Sequence, residues 1–251
     1  MNIINLIYKS RNVLKEVLSP EWNTGEIKDL SEDEIRELYI SKKKENKIAF
    51  GQASNCNITL KHNKLNNHNL HIIYYNFSDI GQSPIKVTKI CSDKIMTLYQ
   101  DEIIKDTDNL LVIIQSPISD NLLKSFENLI IKNSNVQLDG ELKEQNDALS
   151  ISERYESSYF KNIHINSIHD LSFNKLKHKY VPECRIIKNK EEKNNIIKKC
   201  NCTLKQLPIQ LWIDPISQLL LVSVEDIIEY KRKTETGGEN IYYRLCRNSG
   251  I

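Results

Sequence analysis

Paired carboxylates with a lysine on adjacent strand positions would hold a magnesium ion and activate water for phosphodiester cleavage. In the first half of this chain Asp79, Asp93 and Glu102 are the acids to weigh, but none stands in an Asp…(Asp/Glu)-x-Lys arrangement on an apolar run. They read as surface carboxylates. Cys200-x-Cys202 is half of a zinc motif, yet no second Cys or His pair follows at ligand spacing. One thiol in the core and one at the surface is the expectation. His62, His68 and His71 crowd a polar loop running from Lys61 to Asn69, and loop histidines with no carboxylate or thiol beside them are expected to be solvated. Cys184 and His178 pair a nucleophile with a base only on paper, because no oxyanion-hole motif accompanies them. These residues predict no catalytic centre, no metal and no cofactor.

Ser116-Pro117-Ile118-Ser119 offers a different chemistry. It follows an apolar run and opens a helical pattern, so free backbone N–H groups and the positive end of a helix dipole would face outward. The Ser116 and Ser119 hydroxyls would add donors to a phosphate, and Pro117 would lie flat against a groove. Such contacts position a duplex without reading its sequence. Asp120 opposes the idea electrostatically, and a plain helix cap is the equal alternative.

The elements that would position these groups follow from periodicity. Ile3, Ile4, Ile7, Leu14, Val17 and Leu18 lie near helical spacing, which predicts an amphipathic first helix over 3–18. Ser31-Glu32-Asp33-Glu34 is a capping box ahead of a second. Ile58–Leu60, Leu70–Phe77 and Leu110–Gln115 read as strands, the last two continuous rather than alternating. That pattern suits strands covered on both faces, with Cys91–Tyr99 and Asp120–Ile131 as covering helices. From Asn133 to Ser158 the chain turns polar and loses any period, which predicts a linker or surface insertion. Beyond it, Asn189-x-x-Glu192, Thr203-x-x-Gln206 and Asp214-Pro215 mark three helix starts. Asp226–Lys233 and Ile241–Cys246 read as a hairpin whose second strand alternates a buried face with a presented one. The expected division is 1–132, a linker or insertion over 133–167, and 168–251.

Composition is that of a folded protein, with 39% hydrophobic and 27% charged residues. Net charge is +2, which by itself predicts no polyanionic partner. Residues 168–251 hold 15 Lys+Arg against 10 Asp+Glu, a local surplus of five. The six cysteines follow no regular framework, and no apolar run approaches the ~18–20 residues that cross a bilayer. A reducing interior with free thiols and no membrane partner is expected.

The C-terminal third carries an ordered set of blocks. His178-x-x-Val181-Pro182-Glu183 comes first, then Leu207-Pro208 and Asp214-Pro215. Arg232-x-Thr234-Glu235-Thr236-x-Gly238 and Tyr243-Arg244-Leu245 complete it. In this order and spacing the blocks resemble the shared fifth subunit of eukaryotic DNA-dependent RNA polymerases, a family with shorter archaeal members. The resemblance runs from Asp170 to Cys246 and is weaker through the first half, at Tyr8–Trp22, Ile72–Phe77 and Leu110–Pro117. Two departures stand out. Cys184 replaces a usual histidine, and Leu221, Ser223, Val224 and Glu225 replace a basic Gly-x-Lys-Arg-Gly stretch. Such divergence is expected of a large DNA virus or an AT-rich eukaryotic parasite, the virus being the favoured expectation.

The resemblance implies an α/β (α+β) architecture. A restriction-endonuclease-like α/β jaw would be followed by a small α/β assembly domain. It implies a non-catalytic subunit, present in one copy, that docks on the largest polymerase subunit and other core subunits and lies beside downstream double-stranded DNA. His178, Pro182, Asp214, Pro215, Arg232, Glu235, Thr236, Gly238, Tyr243 and Arg244 are the interface expectation; Ser116, Pro117 and Ser119 are the DNA-side one. Location would be virion and host cytoplasm for a virus, or nucleus for a cell. The rival readings are a stand-alone regulator that binds polymerase reversibly and an active nuclease.

Overall fold

A computed structural model describes residues 2–41, 48, 50–132, 136–138, 140–151, 153–234 and 238–249. The chain divides into two compact units: Met1–Ser134 with Lys161–Phe173, and Asn135–Phe160 with Asn174–Ile251. Both mix helices with sheets, an α/β architecture.

The first unit opens with helices α1 (Ile3–Leu18) and α2 (Glu32–Ile40). Both halves of the α2 capping box form: Ser31 Oγ accepts from Glu34 N at 3.3 Å and Glu34 Oε2 accepts from Ser31 N at 2.7 Å. Strands β1 (Ile58–Lys61) and β2 (Asn69–Tyr75) pair antiparallel. Helix α3 (Ile90–Gln100) then returns the chain to β3 (Asn109–Ile114), parallel to β2. After α4 (Asp120–Lys132), β4 (Ile163–Ser167) adds parallel to β3, giving the order β1-β2-β3-β4. Every residue of β3 is buried, as a strand needs to be when both sheet faces are covered. Behind α1, Trp22 bridges His62, while Asn23 N donates to Lys61 O and Asn63 N to Glu21 O. The outer edge of β1 is thereby partly occupied. Gly51, at φ +84°, bridges Phe77, and a Cβ there would sit 2.8 Å from backbone atoms of Asn76 and Phe77. Only glycine fits that approach.

In the second unit α5 (Gly140–Ala148) precedes β5 (Glu183–Ile187), α6 (Lys190–Cys200), β6 (Ile209–Leu211), α7 (Pro215–Leu219), β7 (Ile227–Thr234) and β8 (Gly238–Arg247). The sheet order is β5-β7-β8-β6; β6 runs parallel to β8 and the other pairs are antiparallel. Its core gathers Ile187, Ile196, Leu207, Ile227 and Leu245. The predicted caps are in place: Asn189 Oδ1 accepts from Glu191 N and Glu192 N, and Thr203 and Gln206 form their box.

Two expectations meet a different structure. The segment 133–167, read as linker or insertion, carries α5 in the second unit and β4 in the first. Helix α5 buries only Leu142 and Asn146, too few apolar positions to leave a period. On β8, burial runs along the strand instead of across its faces. Ile241 is exposed, whereas Leu245 and Cys246 are both buried. The reason is pairing: β6 covers β8 only at Leu245–Arg247. Among the described residues, no helix is long and apolar enough to cross a membrane.

Candidate assembly and nucleic-acid interfaces

The first block of the C-terminal third follows a single 3-10 turn, Lys175–Lys177, in which Asn174 Oδ1 accepts from Leu176 N at 3.0 Å. His178 is exposed, and its Nδ1 accepts from Tyr180 N at 3.4 Å. Tyr180 is 78% exposed. Pro182 is half-buried and leads into β5.

Asp214 and Pro215 make a helix start. Asp214 Oδ1 accepts from Ile216 N at 2.8 Å, its carbonyl accepts from Gln218 N, and Pro215 occupies the first helical position. Pro215 is exposed and Asp214 half-buried, so the cap also presents a rigid surface corner.

Strands β7 and β8 continue past the rest of the sheet. The β5 pairing ends at Lys231 and the β6 pairing begins at Leu245, so Arg232 and Lys233 pair only with Asn240 and Glu239. Arg232 is exposed on this extension, and Arg244 is exposed further along β8, opposite Ile228. Gly238 reverses the extension at φ +69°, where an L side chain is strained even in open space. Glu235 and Thr236 lie outside the described residues. Tyr243, opposite Glu229, packs against the core cluster, and burial followed by the Glu229 carboxylate raises its phenol pKa.

Leu221 and Glu225 both hold left-handed backbone, at φ +54° and +72°. These are the two positions where the resemblance leads one to expect glycine. Both are residues that a left-handed backbone strains.

Two clusters were not foreseen in this unit. Arg185 on β5 reaches Glu192 at 2.8 Å and Glu229 at 3.3 Å. Lys193 is 5% exposed and bonds Glu156 at 2.7 Å and Asp226 at 3.2 Å. Burial acts to lower the Lys193 pKa, but the two carboxylates outweigh it and raise it. Asp226 goes up chiefly through burial, against Lys193 and the Ser223 N–H it accepts at 3.0 Å. A lysine inside a helix gives no sequence signal of burial; Asp226 beside an apolar strand is only a faint one.

In the first unit Ser116 is buried while Pro117 and Ser119 are exposed at the carboxyl end of β3. The Ser119 carbonyl accepts from Leu122 N and Leu123 N, and its hydroxyl approaches Leu122 N at 3.4 Å, so it works as the cap of α4. Gln115 Oε1 accepts from Ser78 N and Oγ, both at 3.0 Å, which ties the loop after β2 to this edge. A cleft of about 360 Å³ opens there, lined by Asn2, Asp79, Gln82, Gln115 and His169 among others.

Asp79, Asp93 and Glu102 are exposed, as read. Two carboxylates of this unit are buried among the described residues, Glu127 on α4 and Asp108 ahead of β3; Asp108 is the one beside the histidines. It accepts from Asn69 N at 2.9 Å and Asn69 Nδ2 at 3.1 Å, and lies 3.1 Å from His71 Nε2. The loop histidines are a correction, because His62 and His68 are buried against Trp22 rather than solvated. His62 Nδ1 accepts from Lys64 N and Leu65 N at 3.0 and 2.9 Å, so the ring caps its own loop. Among the described residues no group of three or more His, Cys, Asp or Glu is placed to hold a metal. Cys200 faces solvent and Cys202 packs against the core. His178 and Cys184 are exposed and half-buried, and burial pushes the Cys184 thiol up to about 11, away from a nucleophile's range.

Comparison with known proteins bears on the second unit. Residues 173–246 match the family described as RNA polymerase Rpb5, C-terminal domain. The protein named DNA-directed RNA polymerase subunit Rpo5 of Pyrococcus abyssi is 44% identical over 73 residues, 29% of this chain and 88% of the relative. Proteins of the same name from Methanosphaera stadtmanae (37% over 73 residues, 29% and 94%) and Nitrosopumilus maritimus (42% over 67 residues, 27% and 80%) are similar over the same share of the chain. Each relative is covered over 80–94% of its length, the family match spans the stretch that carries β5 to β8, and the chain belongs to the RNA polymerase Rpb5 family.

Proposed function

We propose that this chain is a non-catalytic subunit of a multisubunit DNA-directed RNA polymerase. The observation that carries the reading is the 44% identity spanning 88% of a protein named as such a subunit. In this reading residues 174–251, with 135–160, form the assembly module. It docks on the largest polymerase subunit and binds at one copy per complex. The β7–β8 ribbon with Arg232 and Arg244, Tyr243 beside it, and the turns at His178–Pro182 and Asp214-Pro215 supply the contact. Glu235, Thr236 and Gly238 belong to the same proposed contact. Arginine forks and aromatic rings are the side chains that anchor such interfaces. Nucleotide transfer and its magnesium ions belong to the large subunits.

The first unit then acts as a jaw beside downstream DNA. Pro117 and Ser119 are exposed where a 13-residue helix begins, which supports a backbone contact. The expected phosphate donor Ser116 is buried, so the contact rests on Pro117 and Ser119. The complex works inside the cell, in the nucleus or, for a viral member, in host cytoplasm and particle.

Affinity purification of the tagged chain tests the reading. Polymerase large subunits at one-to-one stoichiometry are the expected result. Substoichiometric recovery with an otherwise complete polymerase would favour a reversible regulator, and recovery without polymerase would end the proposal. For the jaw, photocrosslinks from downstream DNA should map to residues 115–120; a map that avoids them removes that contact.

A further inference from the structure

We propose that the turn from Asn174 to Pro182 docks against an acidic face of a partner protein. The idea rests on reading the chain as a polymerase subunit and adds the chemistry of one contact. Residues 172–182 contain three lysines and one histidine and no carboxylate. Lys177, His178 and Lys179 are consecutive and exposed at the end of a single 3-10 turn, so three cationic or titratable side chains share one short piece of backbone. Tyr180 follows and at 78% is far more open than a ring of its size gains from water alone. Lys179 Nζ stands 4.7 Å from that ring's centre and the His178 ring 5.6 Å from it. Half-buried Val181 and Pro182 extend the apolar side. An aromatic centre with a cationic rim is the make-up of an interface anchor, and the charges steer a partner of opposite sign.

The neighbouring charges select protein over nucleic acid. A phosphate backbone is held by cations placed along its length. Here the cationic stretch ends at Glu183, whose carboxylate is exposed and reaches Lys231 at 3.6 Å. Next on β5, Arg185 is already engaged by Glu192 and Glu229. Carboxylates along the adjoining strand would repel a polyanion running past the turn. A protein face can set acids opposite Lys177 and Lys179 and a hollow opposite Tyr180 without meeting those carboxylates.

The test uses the full chain and its cognate polymerase prepared without it, immobilised for kinetic binding. Lys177→Glu/Lys179→Glu should associate roughly tenfold more slowly at low salt, and the gap to the parent should close as salt rises. Tyr180→Ala should dissociate roughly tenfold faster with little salt dependence. Circular dichroism confirms that these surface variants fold. Parent-like kinetics for both variants would overturn the proposal while leaving the polymerase reading intact. So would parent-like binding to polymerase with lost binding to a 30-base-pair duplex, an outcome that makes the turn a nucleic-acid surface. Failure of the parent itself to bind would remove the polymerase reading, and this contact with it.

Discussion

Replacing Lys193 with methionine gives the sharpest test of what holds the second unit together. The ammonium is 5% exposed and touches Asp226, itself 3% exposed, at 3.2 Å and Glu156 at 2.7 Å. Removing one partner of a buried pair costs about 3–5 kcal/mol, because the other charge is left without compensation. Here the lower end applies. Asp226 keeps the Ser223 N–H at 3.0 Å, and the Glu156 side chain, 34% exposed, can turn to water. A loss of about 3 kcal/mol follows, or roughly 12–24 °C for a unit near 100 residues. Hydrogen exchange of α6 and β7 amides across a urea series would read this unit by itself. The pH dependence adds a second check. Without its cation, Asp226 keeps a folded-state pKa above the unfolded value, so the unfolded chain releases that proton first as pH rises. The variant's deficit is therefore smallest in acid, and it grows as pH rises from the unfolded value to the folded one. Adding Asp226→Asn should recover part of the loss. A deficit below about 1 kcal/mol, or one that widens in acid, would refute the reasoning.

Alkali should unfold the first unit. Burial pushes Tyr39 and Tyr74 to about 12 and Cys56 to about 11. The unfolded chain ionises first, so their contribution is intact below pH 9 and is lost between about 9 and 12, visible in near-ultraviolet melts. Glu225→Gly should stabilise the second unit by about 1 kcal/mol by relieving left-handed strain, whereas Leu221→Gly should destabilise it, since that side chain is 5% exposed. Thermal melts separate the two. Asp108→Ala should cost about 2–3 kcal/mol, since it strands Asn69 N and His71 Nε2 at the start of β2; amide exchange on β1 and β2 would report it.

Much of the fold is legible because single residues carry unambiguous physics. The continuous runs His71–Tyr75 and Leu110–Ile114 demand cover on both faces, and they pair as neighbouring parallel strands. Ser31, Asn189 and Asp214 can each satisfy a free helix donor with a side-chain oxygen, and each does. Strand β4 was hidden because Ile163-His164-Ile165-Asn166-Ser167 mixes polar with apolar residues yet is buried throughout. Its polar groups look solvent-facing until the sheet is assembled. Strands β5 and β6 are too short, and too polar in Glu183–Arg185, to give a period. The candidate interface was read from ordered blocks in the sequence; the Arg185 and Lys193 clusters were not, because charged residues disclose burial only when their partners are brought together.

The chain leaves the first unit after residue 134, returns at 161 and leaves again after 173. Biosynthesis feels this route. The nascent first unit lacks its outermost strand, β4, until the ribosome has already delivered α5 of its neighbour. Its exposed β3 edge must wait through that interval, a vulnerable pause for any chaperone-dependent maturation. By the same routing, one proteolytic nick at a boundary frees neither half, since two peptide crossings still tether them.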